Sequence, residues 1–193
     1  MGKIVKIILA LLMVGLMVAG TLTGLKTGEQ VVYPLAYVDY IDKYAQENDL
    51  DRYLVMAVIH TESDFVPEAH SGLAGGLMQL TEETAQWIAQ RKGLEYHDYM
   101  DPETNVMLGC YYLKYLIDTY GVIDTALAAY NGGMGNVYKW LEDPNCSDAG
   151  KTLKYIPFTE TRNYVTRVND AWVYYRDNYE KIKAVNEAVG NIN

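Results

Sequence analysis

The sequence predicts a mainly α-helical domain, α+β in class, with one small hairpin near residues 66–80, preceded by an N-terminal transmembrane helix. Three observations predict it. Apolar residues recur three and four apart through most of residues 35–187 and do not alternate, which is the period of helices rather than strands. Gly72, Gly75 and Gly76 stand close together between two such runs, where a tight loop or hairpin fits. After Lys3 and Lys6 the chain runs from Ile7 to Leu25 without a charge, just long enough to cross a bilayer as a helix.

The composition supports one globular domain behind that segment. The chain has 193 residues, 50% of them hydrophobic, and carries 18 tyrosines against 2 phenylalanines, so disordered and low-complexity classes are excluded. Net charge is −9, and beyond residue 26 the balance is 13 basic against 25 acidic groups. Such a domain repels nucleic acid and anionic lipid. An extended ligand would have to be held by hydrogen bonds and stacking.

Three regions follow: a membrane anchor or signal segment over 1–26, a linker over 27–34, and the globular domain over 35–187. The lysines ahead of the apolar run place the N-terminus inside and the domain on the extracytoplasmic side of the cell membrane. Secretion after signal cleavage is the alternative, but Val18-Ala19-Gly20 only weakly imitates a cleavage site. In that compartment Cys110 and Cys146 could bridge or stay as separate thiols; both readings stand.

Taken in order, Tyr37, Ile41 and Tyr44 mark a first helix that breaks at Asn48-Asp49. Asp51 is an N-cap for a second helix over 52–63, and Thr81 caps a third whose first turn holds Glu82 and Glu83, favourable at the positive end of the helix dipole. Asp101-Pro102 opens a fourth, because proline loses nothing at the first helical position; Gly121 ends it. Short helices are expected around 124–130 and 135–141, separated by Asn131-Gly132-Gly133, and a last one after Thr159.

On the second helix the stripe Leu54, Val55, Val58, Ile59 continues at the same spacing onto Glu62. A carboxyl there is disfavoured as an anion by desolvation and by the negative end of the helix dipole. Such surroundings raise a glutamic acid from about 4.3 to about 6, suitable for a proton donor. The competing reading is a carboxylate paired with an arginine or turned to solvent. Asp64 points to the opposite side, so it is a surface or end-capping residue rather than a second catalytic acid.

Four local sequences then occur in order: His60-Thr61-Glu62-Ser63, Gly76-Leu77-Met78-Gln79, Ala128-Ala129-Tyr130-Asn131-Gly132-Gly133 and Glu160-Thr161-Arg162-Asn163-Tyr164-Val165. Together they resemble the soluble-type (SLT domain) lytic transglycosylases, whose catalytic domain has the lysozyme-like fold. The resemblance covers roughly residues 35–180, about three quarters of the chain. It implies a peptidoglycan-cleaving enzyme of the cell wall that breaks the β-1,4 bond between N-acetylmuramic acid and N-acetylglucosamine and leaves a 1,6-anhydro end. Glu62 matches the family's single catalytic carboxyl, acting as acid and then base, with the sugar's acetamido group assisting. Tyr164 matches a tyrosine facing that carboxyl. Ser71, Met78, Gln79, Tyr130 and Asn131 match residues that line the saccharide groove.

Read without the resemblance, Tyr164 belongs equally to the core stripe of the last helix, Asn131 to a turn and Met78 to core filling. The chain departs from the family's usual Gly-Ala-x-Gly-Leu-Met-Gln by carrying Leu73 at the first glycine, and Gly132 replaces a more common alanine. His60, His70 and His97 show no metal-ligand spacing, and the glycines at 132–135 lack the lysine of a phosphate loop, so neither metal nor cofactor is expected. The partners expected are peptidoglycan glycan strands and, through residues 7–25, the cytoplasmic membrane. The rival functions are a lysozyme-type hydrolase of the same bond, a glycan-binding module without turnover, and a structural member of an envelope assembly.

Overall fold

The computed structural model describes residues 33–189. The expected anchor over 7–25 and nearly all of the linker lie outside them; among the described residues no helix is long and apolar enough to cross a membrane.

Seven helices and two small antiparallel sheets make up the described chain. Helix α1 spans Val38–Glu47 and buries Ile41, Tyr44 and Ala45. Its start has no side-chain cap, Tyr37 instead taking a left-handed turn at φ 55°. Helix α2 spans Arg52–Ser63, and the Asp51 carboxylate accepts a hydrogen bond from the Tyr53 amide at 2.8 Å. Leu54 through Ile59 are all buried, so α2 is apolar around its whole girth, the mark of a central helix. It ends at Asp64, left-handed at φ 52°, whose carboxylate pairs with His60 Nδ1 at 2.8 Å.

Next come strands β1 (His70–Ser71), β2 (Ala74–Gly75) and β3 (Leu80–Thr81), in that order across the sheet. Register pairs His70 with Gly75 and Gly75 with Leu80. Leu73 stands at the exposed tip of the first turn. Helix α3 (Glu82–Lys92) is capped by Thr81 Oγ1, which accepts from the Thr84 amide at 3.1 Å; helix α4 (Pro102–Tyr120) is capped by Asp101. Helices α5 (Ile123–Gly132) and α6 (Met134–Glu142) are split by Gly133 at φ 83°.

A second hairpin, β4 (Ser147–Asp148) with β5 (Thr152–Leu153), was not expected. Two residues per strand are too few to show alternation. Helix α7 runs from Thr159 to Val189 and lies along α2. Arg52 Nη2 donates to the Tyr179 hydroxyl oxygen at 2.8 Å, and Trp172 Nε1 donates to the Asp51 carboxylate at 2.9 Å. Cys110 and Cys146 are separate, buried thiols.

Candidate active site

Glu62 sits in the last turn of α2, half-buried where that helix meets α7. Desolvation pushes its pKa up to about 7, against the opposing pull of the Tyr164 hydroxyl and the Arg167 guanidinium. Tyr164, from the first turns of α7, is fully buried, so it is a core residue and also the ring beside the carboxyl. Its hydroxyl makes no well-aligned hydrogen bond among the described residues, yet it lies near enough to lean its O–H towards the Glu62 carboxyl and lower that group's pKa. Tyr130, at the end of α5, completes the group. Burial and the nearby Glu62 charge hold both phenols well above their ordinary range, so each remains a neutral O–H donor.

The segment facing this group is fastened from three sides. Ser63 donates its hydroxyl to the Leu77 carbonyl at 2.8 Å, tying α2 to the loop next to Glu62. Tyr130 donates to the Met78 carbonyl at 2.8 Å. Asn105, fully buried on α4, accepts from the Met78 amide at 2.7 Å and donates to the Gly75 and Tyr99 carbonyls at 3.1 and 2.8 Å. Gly76 makes this approach feasible: at φ 81° a Cβ there would overlap the Asn105 amide. The Met78 side chain fills the core against Gly109 of α4, so the residue faces the groove through its backbone only.

Gln79 is also turned inward. Its amide donates to the Ala69 and Gly76 carbonyls at 2.8 and 2.9 Å, and its oxygen accepts from exposed Ser71 at 2.8 Å. Asn131, half-buried beside Tyr130, makes no side-chain hydrogen bond among the described residues and is free to meet a ligand. Gly132 has a packing reason: an added Cβ would stand 3.0 Å from Thr161 Oγ1 and 3.2 Å from the Trp140 ring, so glycine lets α7 begin against α5.

Sequence reasoning missed three residues. Ser63 lay inside a recognised tetrad without a role. Asn105 carried a signal, a polar residue in register with the apolar stripe of Val106, Gly109 and Leu113. Arg167 stands one turn beyond Tyr164 on α7, and that spacing alone could have placed it near Glu62.

The sequence profile of the transglycosylase SLT domain matches residues 39–152. The chain belongs to that family. It is 37% identical over 153 residues to the soluble lytic murein transglycosylase of Salmonella typhimurium, covering 75% of this chain and 23% of that protein. Membrane-bound lytic murein transglycosylase C of Edwardsiella ictaluri is 31% identical over 170 residues, covering 72% of this chain and 46% of that protein. The crystal structure of the 70 kDa soluble lytic transglycosylase of Escherichia coli superposes with a TM-score of 0.67 at 34% identity, covering 75% of this chain and 24% of that one. The SLT-domain chain thus has the lytic transglycosylase fold and spans about a quarter of the length of these soluble relatives.

Proposed function

We propose that this chain is a peptidoglycan lytic transglycosylase that cuts the bond between N-acetylmuramic acid and N-acetylglucosamine and leaves a 1,6-anhydro-muramic end. The observation that carries the reading is the Glu62 carboxyl, poised near neutrality between α2 and α7, with no second carboxylate among the groups of the described residues that act on it. A group titrating near neutrality is available in both its protonated and its ionised form, as a donor and then an acceptor requires.

In the first step Glu62 gives its proton to the glycosidic oxygen as the C1–O bond breaks, and the sugar's own acetamido oxygen closes on C1, which replaces the second carboxylate of ordinary glycosidases. In the second step the Glu62 carboxylate takes the proton of the 6-hydroxyl, whose oxygen attacks C1 and expels the acetamido oxygen. The acid is restored and no water is consumed. The buried Tyr164 hydroxyl, turned towards Glu62, steadies the carboxylate between the two steps. Asn131 supplies a free amide to the saccharide, and Ser71 contributes its exposed oxygen. Gln79, Tyr130 and Met78 shape the groove by holding its wall in place.

Names of relatives include both soluble and membrane-bound proteins. For this chain the uncharged run from Ile7 to Leu25 supports a single-pass anchor with the enzyme outside the cytoplasm. The test of function is chemical. Purified sacculi digested with the full chain are expected to release muropeptides lighter than hydrolytic products by the mass of one water. Water-added reducing ends would make the chain a lysozyme-type hydrolase, and intact sacculi would make it a binding module.

A further inference from the structure

Away from the catalytic group, a cavity of about 540 Å³ opens between the C-terminal end of α6 and the β4–β5 hairpin, its walls including Tyr138, Leu141, Glu142, Pro144, Ser147 and Gly150. Helix α6 leaves the site just after Asn131, and its 9 residues carry the chain roughly 13 Å further on. The volume lies within the range of ligand sites. A larger cavity around residues 86–97, at the end of α3, has no buried polar atom without a partner in its lining and gives no comparable sign of a ligand.

Ser147 is only 4% exposed, yet its hydroxyl has no hydrogen-bond partner among the described residues, a cost that a bound group recovers by supplying one. Glu142, exposed at the end of α6, forms no ion pair among the described residues, and no lysine or arginine lines the cavity. Lys154, just beyond β5, is already held by Asp148 at 3.4 Å. The Leu141 carbonyl lies at the Gly150 wall, 3.6 Å from where a Cβ on that glycine would stand. A carboxylate, a hydroxyl and a helix-end carbonyl are thus the polar groups of this cavity. An ammonium has three donors and no acceptor, and the negative end of a helix dipole favours a cation. Leu141 and Pro144 give an apolar wall for a methylene stem. The Tyr138 ring, 62% exposed and one turn before Glu142, offers a face to the charge. Beyond residue 26 the balance of 13 basic against 25 acidic groups draws a basic partner to this domain.

We propose that this cavity binds a primary alkylammonium, the lysine side chain of a basic protein partner, with the ammonium on Glu142, Ser147 and the end of α6. The site is independent of the peptidoglycan reading. It holds the chain against that partner and leaves the groove beside Glu62 open.

The test uses the full chain in detergent, titrated with Nα-acetyl-L-lysine N-methylamide while the amide resonances of Ser147 and Gly150 are followed. Both are expected to shift saturably, with a Kd of about 1–10 mM. The Nε-acetylated probe keeps the stem and loses the charge, and is expected to bind at least about tenfold more weakly. Glu142→Gln should weaken the lysine probe by about tenfold as well, with digestion of sacculi unchanged. Ser147→Ala should weaken it without lowering Tm, because the hydroxyl it removes has no partner in the free protein. Should Ser147→Ala fail to fold, Tyr138→Leu on the exposed rim is expected to weaken the probe by removing the ring face. Equal affinity for the lysine and Nε-acetyl probes, or no saturable shift below about 50 mM, overturns the proposal. Tighter binding of pentane-1,5-diamine than of the capped lysine overturns the protein partner and gives the site to a free diamine.

Discussion

Glu62 is held between burial, which raises its pKa, and the Tyr164 hydroxyl with the Arg167 cation, which lower it. The folded value, about 7, lies above the ordinary 4.5. The neutral acid therefore contributes stability that is fully present below the ordinary value and is lost as pH rises through 7. Glu62→Gln carries no such titration. Melting curves of parent and variant should diverge in the variant's favour by about 1–3 kcal/mol between about pH 4 and about pH 8. On the proposed mechanism the same substitution should lower turnover of sacculi by at least about 10²–10⁴, because it removes the proton and keeps the volume. Arg167→Gln tests the opposing influence. Removing a cation that lowers the Glu62 pKa should move the alkaline limb of kcat/KM to higher pH; a lower rate with an unmoved limb would mean that Arg167 acts elsewhere.

The elements that place this residue differ in how openly the sequence announces them. Asp51, Thr81 and Asp101-Pro102 mark helix starts through local chemistry, a side-chain oxygen beside unsatisfied amides, and α2, α3 and α4 begin where those residues say. The β4–β5 hairpin and the left-handed entry at Tyr37 carry no comparable mark: two residues per strand show no period, and the turn at Tyr37 has neither a glycine nor a side-chain cap. The wall of the site is an intermediate case. Its motif was legible, but what holds it, Asn105, lies 27 residues beyond Met78, and only its polarity within an apolar stripe hinted at a role. Gln79 looked like a sugar ligand because amides bind sugars, whereas here its amide secures the loop. Asn105→Leu should cost about 2–4 kcal/mol in urea unfolding, leaving a buried amide and carbonyl unpaired. Gly76→Ala should be similarly harmful because it meets both the Asn105 side chain and an unfavourable backbone angle. The loss of both effects in either variant would show that the loop is fastened by something else.

For the whole molecule, α7 is the common support. It supplies Tyr164 and Arg167 near its start, and further along it clasps the far end of α2 through Trp172 and Tyr179 and buries Ile182. Asn186 accepts from the Leu35 amide at 3.4 Å, and Tyr175 donates to the Pro34 carbonyl at 3.0 Å, so the two ends of the described chain are joined on this helix. Ending the chain after Asn178 should remove at least about 3 kcal/mol of stability, read as a lowered Tm, since a buried isoleucine and two polar ties go together. The arrangement also has a consequence for biosynthesis. The rest of the site emerges from the ribosome before α7, the helix against which Glu62 is buried. Until α7 docks, the Glu62 carboxyl is an ordinary wetted anion, so on the proposed mechanism a chain that lacks this helix has no proton to give at neutral pH.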